Sequence, residues 1–138
     1  MRAGRGAPGQ AAVAEGPSLM ADPVGPRGGE LNAAVTSALV GIYTEQLGRG
    51  PRSASTFHHG NVLVTLMHDV LTVAEKSLAR SGRTDTLGHI RQLFQATMEA
   101  DFREAVERVT GRRVLAFISG YSIDPDVAAE VFILDASL

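Results

Sequence analysis

Two pairs of arginines are the residues in this chain best suited to chemistry. Gly48-Arg49-Gly50-Pro51-Arg52 sets two guanidinium groups on a flexible backbone, an arrangement able to hold an anion through forked, charge-assisted hydrogen bonds. Arg112-Arg113, directly after Gly111, offer the same chemistry. Arg49, Arg52, Arg112 and Arg113 are therefore the candidate ligand-binding residues. Gly48–Arg52 lacks the Gly-Lys-Ser/Thr of a phosphate loop, and it precedes an expected strand where a phosphate loop precedes a helix. The competing reading is a helix stop flanked by solvated arginines. If both pairs converge in the fold they form one basic patch, and spacing alone does not bring them together.

The histidines come next. His58 and His59 are adjacent, so in a strand they point to opposite faces, while in a turn they could share an ion. His68-Asp69 could be an imidazole oriented by a carboxylate, the only pair here that suggests a small enzyme. No His-x-x-x-His or comparable spacing supports a metal site, and His89 falls on the surface of an expected helix. There is no Gly-x-Ser-x-Gly and no cysteine, which excludes disulfides, thiolate metal sites and cysteine nucleophiles. The expectation is no catalytic residue, no metal, no cofactor and a non-enzymatic role.

The elements that must position these residues centre on Val62 to Leu78. This stretch opens as a β-branched and aliphatic run and then meets Thr72-Val73-Ala74-Glu75, a capping box. The pattern predicts a strand, then a helix from about Val73 that stops at Gly82. Ahead of it, Leu31, Ala34, Val35, Ala38, Leu39, Ile42 and Tyr43 recur at helical spacing from Glu30 to about Leu47. Ser53 to Phe57 reads as a strand, and His58-His59-Gly60-Asn61 as the turn of a hairpin.

A second helix is expected near Thr84 or Asp85, both good N-caps, and runs from about Thr86 to Thr110. Leu87, Ile90, Phe94, Met98, Phe102, Val106 and Val109 form its apolar stripe, and Gly111 is its natural stop. Glu99–Arg103, Arg103–Glu107 and Glu104–Arg108 are i,i+4 pairs on its wet side. Val114 to Tyr121 and Val127 to Leu134 are strands around the turn at Ser122–Asp126. The expected fold is two-layer α+β, in the order α-β-β-α-α-β-β, with an antiparallel sheet from two β-hairpins packed on three helices. Three of the strands are apolar at consecutive positions, so both sheet faces ask for cover. Three helices in so small a chain cover one face, and a homodimer is expected to hide the other.

Residues 1–29 hold seven of the fifteen glycines and four of the six prolines, with few large apolar groups, and read as a disordered tail. Residues 30–138 read as a single domain, long enough for a sizeable core. A net charge of −2 leaves no global field to draw the chain onto nucleic acid. No apolar run reaches the ~18–20 residues needed to span a bilayer, so no membrane insertion is expected. Met1-Arg2-Ala3-Gly4-Arg5-Gly6 lacks the apolar core of a secretory signal, and a cytoplasmic protein is expected.

Four segments together carry a resemblance. They are Gly48-Arg49-Gly50-Pro51, Leu71-Thr72-Val73-Ala74-Glu75-Lys76-Ser77-Leu78-Ala79, Thr110-Gly111-Arg112-Arg113-Val114, and Val131-Phe132-Ile133-Leu134. Over about residues 30–135 the chain resembles the MpsC-like family of small bacterial proteins, named for sodium-translocating, membrane-potential-generating systems. His58-His59 and the N-terminal tail have no match in that pattern. The resemblance implies association with membrane ion or bicarbonate transport, and it carries over no catalytic residue or cofactor. It points to an accessory or regulatory protein that meets a membrane transporter subunit, against a homodimeric anion-sensing or carrier domain and, third, a small enzyme using His68 and Asp69.

Overall fold

The computed structural model describes residues 25–138. The expectation for residues 1–24 of the tail lies outside them. Contacts divide the chain into Met1–Leu31 and Asn32–Leu138. Of the first unit only the opening turns of the first helix are described, and the sheet and its core belong to the second.

Helix α1 (Gly25–Leu47) begins ahead of the expected Glu30. Pro26 falls in its first turn, where a helix has no intrahelical N–H bond to lose. Strand β1 (Ser53–His59) runs past Phe57 and absorbs both His58 and His59, which corrects the expected four-residue turn. The turn is Gly60-Asn61 alone, with Gly60 at φ 61°, where a side chain would be strained. Strand β2 (Val62–His68), helices α2 (Val73–Arg80) and α3 (Thr84–Thr110), and strands β3 (Val114–Ser122) and β4 (Val127–Leu134) complete the expected order.

The capping box at α2 is formed as its spacing requires. The Glu75 amide donates to the Thr72 hydroxyl at 3.2 Å, and the Thr72 amide donates to Glu75 Oε1 at 2.9 Å. At α3 the expected caps are not used: Arg83 is the N-cap residue and makes no side-chain cap bond. Thr84 and Asp85 lie inside the first turn, where Asp85 meets the positive end of the helix dipole. Gly111 ends α3 at φ 71°, the left-handed cap expected of it. Of the expected surface pairs, Arg103 Nε meets Glu99 at 2.8 Å. Arg103 also donates to the Val114 carbonyl and Glu107 accepts from the Val114 amide, so the start of β3 competes for these side chains.

The four strands form one antiparallel sheet in the order β1-β2-β4-β3. Period-2 alternation decides the faces. Leu63, Thr65 and Met67 of β2 and Ala128, Glu130, Phe132 and Leu134 of β4 point one way and are buried. There they join Val35, Leu39 and Tyr43 of α1 and Met98, Phe102, Ala105 and Val106 of α3 in one core. Each large side chain buried in this way contributes ~1.5–3 kcal/mol. Phe117 bridges the layers, edge-on to Phe102 at 6.1 Å and tilted on Phe132 at 5.1 Å.

The other face is open among the described residues. Val62, Val64 and Leu66 of β2 and Val127, Val131 and Ile133 of β4 are half-buried, while Phe57 is 51% and Ile118 59% exposed at its margins. No Asp, Glu, Lys or Arg of the four strands points to this face. No helix among the described residues is long and apolar enough to cross a membrane.

Candidate functional site

The candidate arginines separate into two places. Arg52 donates its amide to the His68 carbonyl, so Arg49 and Arg52 stand where β2 ends. Arg113 pairs through its backbone with Asp135, next to the turn where β2 begins. The two pairs are thus a strand length apart, roughly 20 Å at ~3.3 Å per residue. Arg49 Nη1 donates to the Leu71 carbonyl at 2.6 Å and Nη2 to the Asp69 carbonyl at 3.0 Å. Gly48 at φ 82° turns the chain out of α1, and a Cβ on Gly50 would meet Thr44 Oγ1 at 2.6 Å. The glycines of this segment therefore serve a tight exit that aims Arg49 at the β2–α2 junction. Arg112 Nε and Nη2 donate to the Ser137 carbonyl, at 3.2 and 3.1 Å.

Asp69 sits at that junction with φ 60°, a left-handed position that aspartate tolerates. Its carboxylate meets Lys76 Nζ at 3.1 Å, Arg49 Nη2 at 3.6 Å and Arg52 Nε at 4.0 Å. Lys76, and then Arg49, hold it below the usual carboxylate range. The carboxylate of Asp126 accepts the amides of Val70 and Leu71, both at 3.1 Å, and fixes the same bend from the other side. His68 projects from β2 on the open face, opposite Met67. His58 faces inward with Nδ1 2.9 Å from Asn32 Oδ1, whereas His59 is exposed on the other face. Among the described residues no cluster of His, Asp and Glu is arranged to hold a metal ion.

A different set of residues converges beneath the sheet. Arg91 lies on the apolar stripe of α3, one turn after Leu87 and two before Met98, and is 2% exposed. Its guanidinium rests between two aromatic rings, 5.9 Å from the centroid of Tyr43 on α1 and 5.7 Å from that of Tyr121 on β3. Gly88, one turn earlier, leaves room for Tyr121: a Cβ there would come within 3.0 Å of its hydroxyl. Arg91 Nη1 meets Glu75 at 3.3 Å (Oε2) and 3.5 Å (Oε1). Glu75 thus closes the α2 capping box and pairs across to α3 with one carboxylate.

Glu130 shares this space from β4, where the register sets it between Thr65 of β2 and Ser119 of β3. It is 2% exposed, and its Oε1 has no hydrogen-bond partner. Arg91 Nε, Ser119 Oγ and the Tyr43 hydroxyl are buried and unpartnered as well. So many unmatched polar atoms in one place is unusual, because each costs ~1–3 kcal/mol when desolvated without a partner. Burial pushes the Glu130 carboxyl up to about 7, against the opposing pull of the Ser119 hydroxyl and the Arg91 charge. Burial also raises the Tyr43 hydroxyl, with Arg91 acting the other way. For Arg91 itself burial disfavours the charge, and Tyr43 and Glu75 outweigh it. Glu130 is thus the group of this cluster whose neutral form burial favours.

A groove of about 280 Å³ opens at the β3 edge, lined by Gln92, Gln95, Ala96, Glu99, Phe117 and Ser119. Ser119 belongs both to this groove and to the cross-strand pair with Glu130. Reading the sequence for motifs passes over Arg91 and Glu130, because neither lies in a recognised spacing. The signal that marks them is parity. Arg91 interrupts the apolar stripe of α3, and Glu130 shares a strand face with Ala128 and Phe132.

A family model described as Na+-translocating membrane potential-generating system (MpsC) matches residues 27–136, most of the chain. No curated protein and no solved structure matches it.

Proposed function

The chain belongs to the MpsC family, and on that premise we propose that it is a non-enzymatic accessory or regulatory component of a Na+-translocating, membrane-potential-generating transport system. The observation that carries the reading is the open sheet face. A surface of Val62, Val64, Leu66, Val127, Val131 and Ile133, free of formal charge and rimmed by Phe57 and Ile118, supports docking on an apolar protein surface. We assign it to a subunit of that membrane system. Bicarbonate transport falls within the same reading, and so does a cytoplasmic site of action.

A tagged chain recovered from gently solubilised whole cells, membranes included, tests this. Mass spectrometry should find an integral transporter subunit at near-stoichiometric level with the native sequence and lose it with Val131→Glu. Recovery of the chain with only copies of itself would give the face to a homodimer and overturn the assignment. The anion-sensing reading through Arg49, Arg52, Arg112 and Arg113 would need two separate sites, and Arg49 is already bound to two backbone carbonyls.

A further inference from the structure

Two carboxylates and one guanidinium are enclosed together beneath the sheet. Glu75 arrives from α2, Arg91 from α3 and Glu130 from β4, and all three are buried. One guanidinium balances one carboxylate, so an ionised Glu130 leaves an excess negative charge in a site with little water to screen it. Arg91 has a free donor in Nε, while Glu130 has a free acceptor in Oε1. The pair that Arg91 makes with Glu75 is long for a charge-assisted bond, at 3.3 and 3.5 Å. The guanidinium lies 5.9 and 5.7 Å from the two ring centroids, and its charge acts on the second carboxylate as well as on Glu75.

The other groups facing Glu130 are few. Tyr43 comes from α1 and Tyr121 and Ser119 from β3. β2 contributes Thr65, whose hydroxyl is paired to Thr56 at 2.8 Å. Glu99 lines the groove beside Ser119 and is itself paired with Arg103. Arg91 is the one cation among them. The groove is lined in part by Ser119, the cross-strand neighbour of Glu130.

We propose that Glu130, Arg91 and Glu75 form a proton-responsive device in which one proton at Glu130 decides how Arg91 is shared between the two carboxylates, and so how firmly α2 is held on α3. With Glu130 protonated, Arg91 belongs to Glu75 and α2 is anchored. Loss of the proton to water draws Arg91 toward Glu130 and leaves Glu75 less compensated at the foot of α2. The consequence is carried outward, because the N-terminus of α2 adjoins the Asp69–Lys76–Arg49 charge cluster on the surface. The device stands independently of the proposed docking role. Its neutral-pH range is supported by the raised Glu130 carboxyl.

Amide hydrogen exchange on the full chain, corrected for intrinsic rates, is the test. Protection at Glu75, Lys76 and the rest of α2 should fall about tenfold between about pH 5.5 and about pH 8.5. In Glu130→Gln it should stay constant over the same range. Equal pH dependence in the two chains would overturn the device, as would none in the native chain. If Glu130→Gln does not fold, carboxyl ¹³C and Arg91 ¹⁵Nε shifts of the native chain replace the comparison. Both must then titrate with one midpoint, and an Arg91 signal indifferent to pH would overturn the device just as firmly.

Discussion

The guanidinium of Arg91 meets the carboxylate of Glu75 at 3.3 Å, in a place where both side chains are almost wholly buried. That contact joins α2 to α3, and the same carboxylate completes the Thr72 capping box. Helix start, interhelical tie and buried charge balance are thus concentrated in one acidic side chain.

Removing the cation exposes that dependence. Arg91→Met leaves Glu75 buried and uncompensated, and it should lower the unfolding free energy by ~3–5 kcal/mol. The double variant Arg91→Met with Glu75→Met should lose clearly less than the sum of the single changes, because no buried charge is left orphaned. Urea unfolding of the four chains measures the coupling.

Stability should fall as pH rises through the Glu130 transition. The folded carboxyl titrates at about 7 against an ordinary value of 4.5. Between those limits the unfolded chain releases the proton and the folded chain keeps it. The contribution is therefore complete below about pH 4.5 and gone above about pH 7. Glu130→Gln should remove this slope and exceed the native chain by ~1–3 kcal/mol near pH 8. Denaturation midpoints across that pH range decide it.

The two arginine pairs should behave differently. Arg49→Ala deletes two charge-assisted bonds to the carbonyls of Asp69 and Leu71 and should cost ~1.5–3 kcal/mol. Arg112→Ala loses only an exposed bond to the Ser137 carbonyl and should stay within ~0.5 kcal/mol. Thermal unfolding of the two variants side by side distinguishes a clamp from a surface charge.

On the open face, Ile118→Glu should leave the unfolding free energy within ~0.5 kcal/mol, since Ile118 is largely exposed in the isolated chain. The same change should abolish any association through that face. Sedimentation of the purified chain, alone and with captured membrane subunits, checks whether stability and association separate in this way.

Much of the fold is legible in the sequence because its signals are local. The Thr72–Glu75 box, the left-handed stop at Gly111 and the stripe from Leu87 to Val106 each act within a few residues, and the structure realises them all. The same locality explains the failures. His58 and His59 look like turn residues until β2 supplies Leu63 and Val62 as their cross-strand partners. Thr84 and Asp85 look like caps, yet the chain enters α3 one residue earlier, at Arg83.

The order of elements and the apolar identity of both sheet faces are set along the chain itself, because period and capping are read from neighbouring residues. Which face receives the helices, and which stays open, depends on the packing of α1 and α3 on one side. The same holds for the buried cluster. Tyr43, Glu75, Arg91 and Glu130 come from four elements, and neither the helical spacing that holds Tyr43 nor the capping box that holds Glu75 says that they meet. Only the β2-β4 pairing and the crossing of the helices enclose them together, and burial, not residue type, is what turns Glu130 into a group that titrates near neutrality.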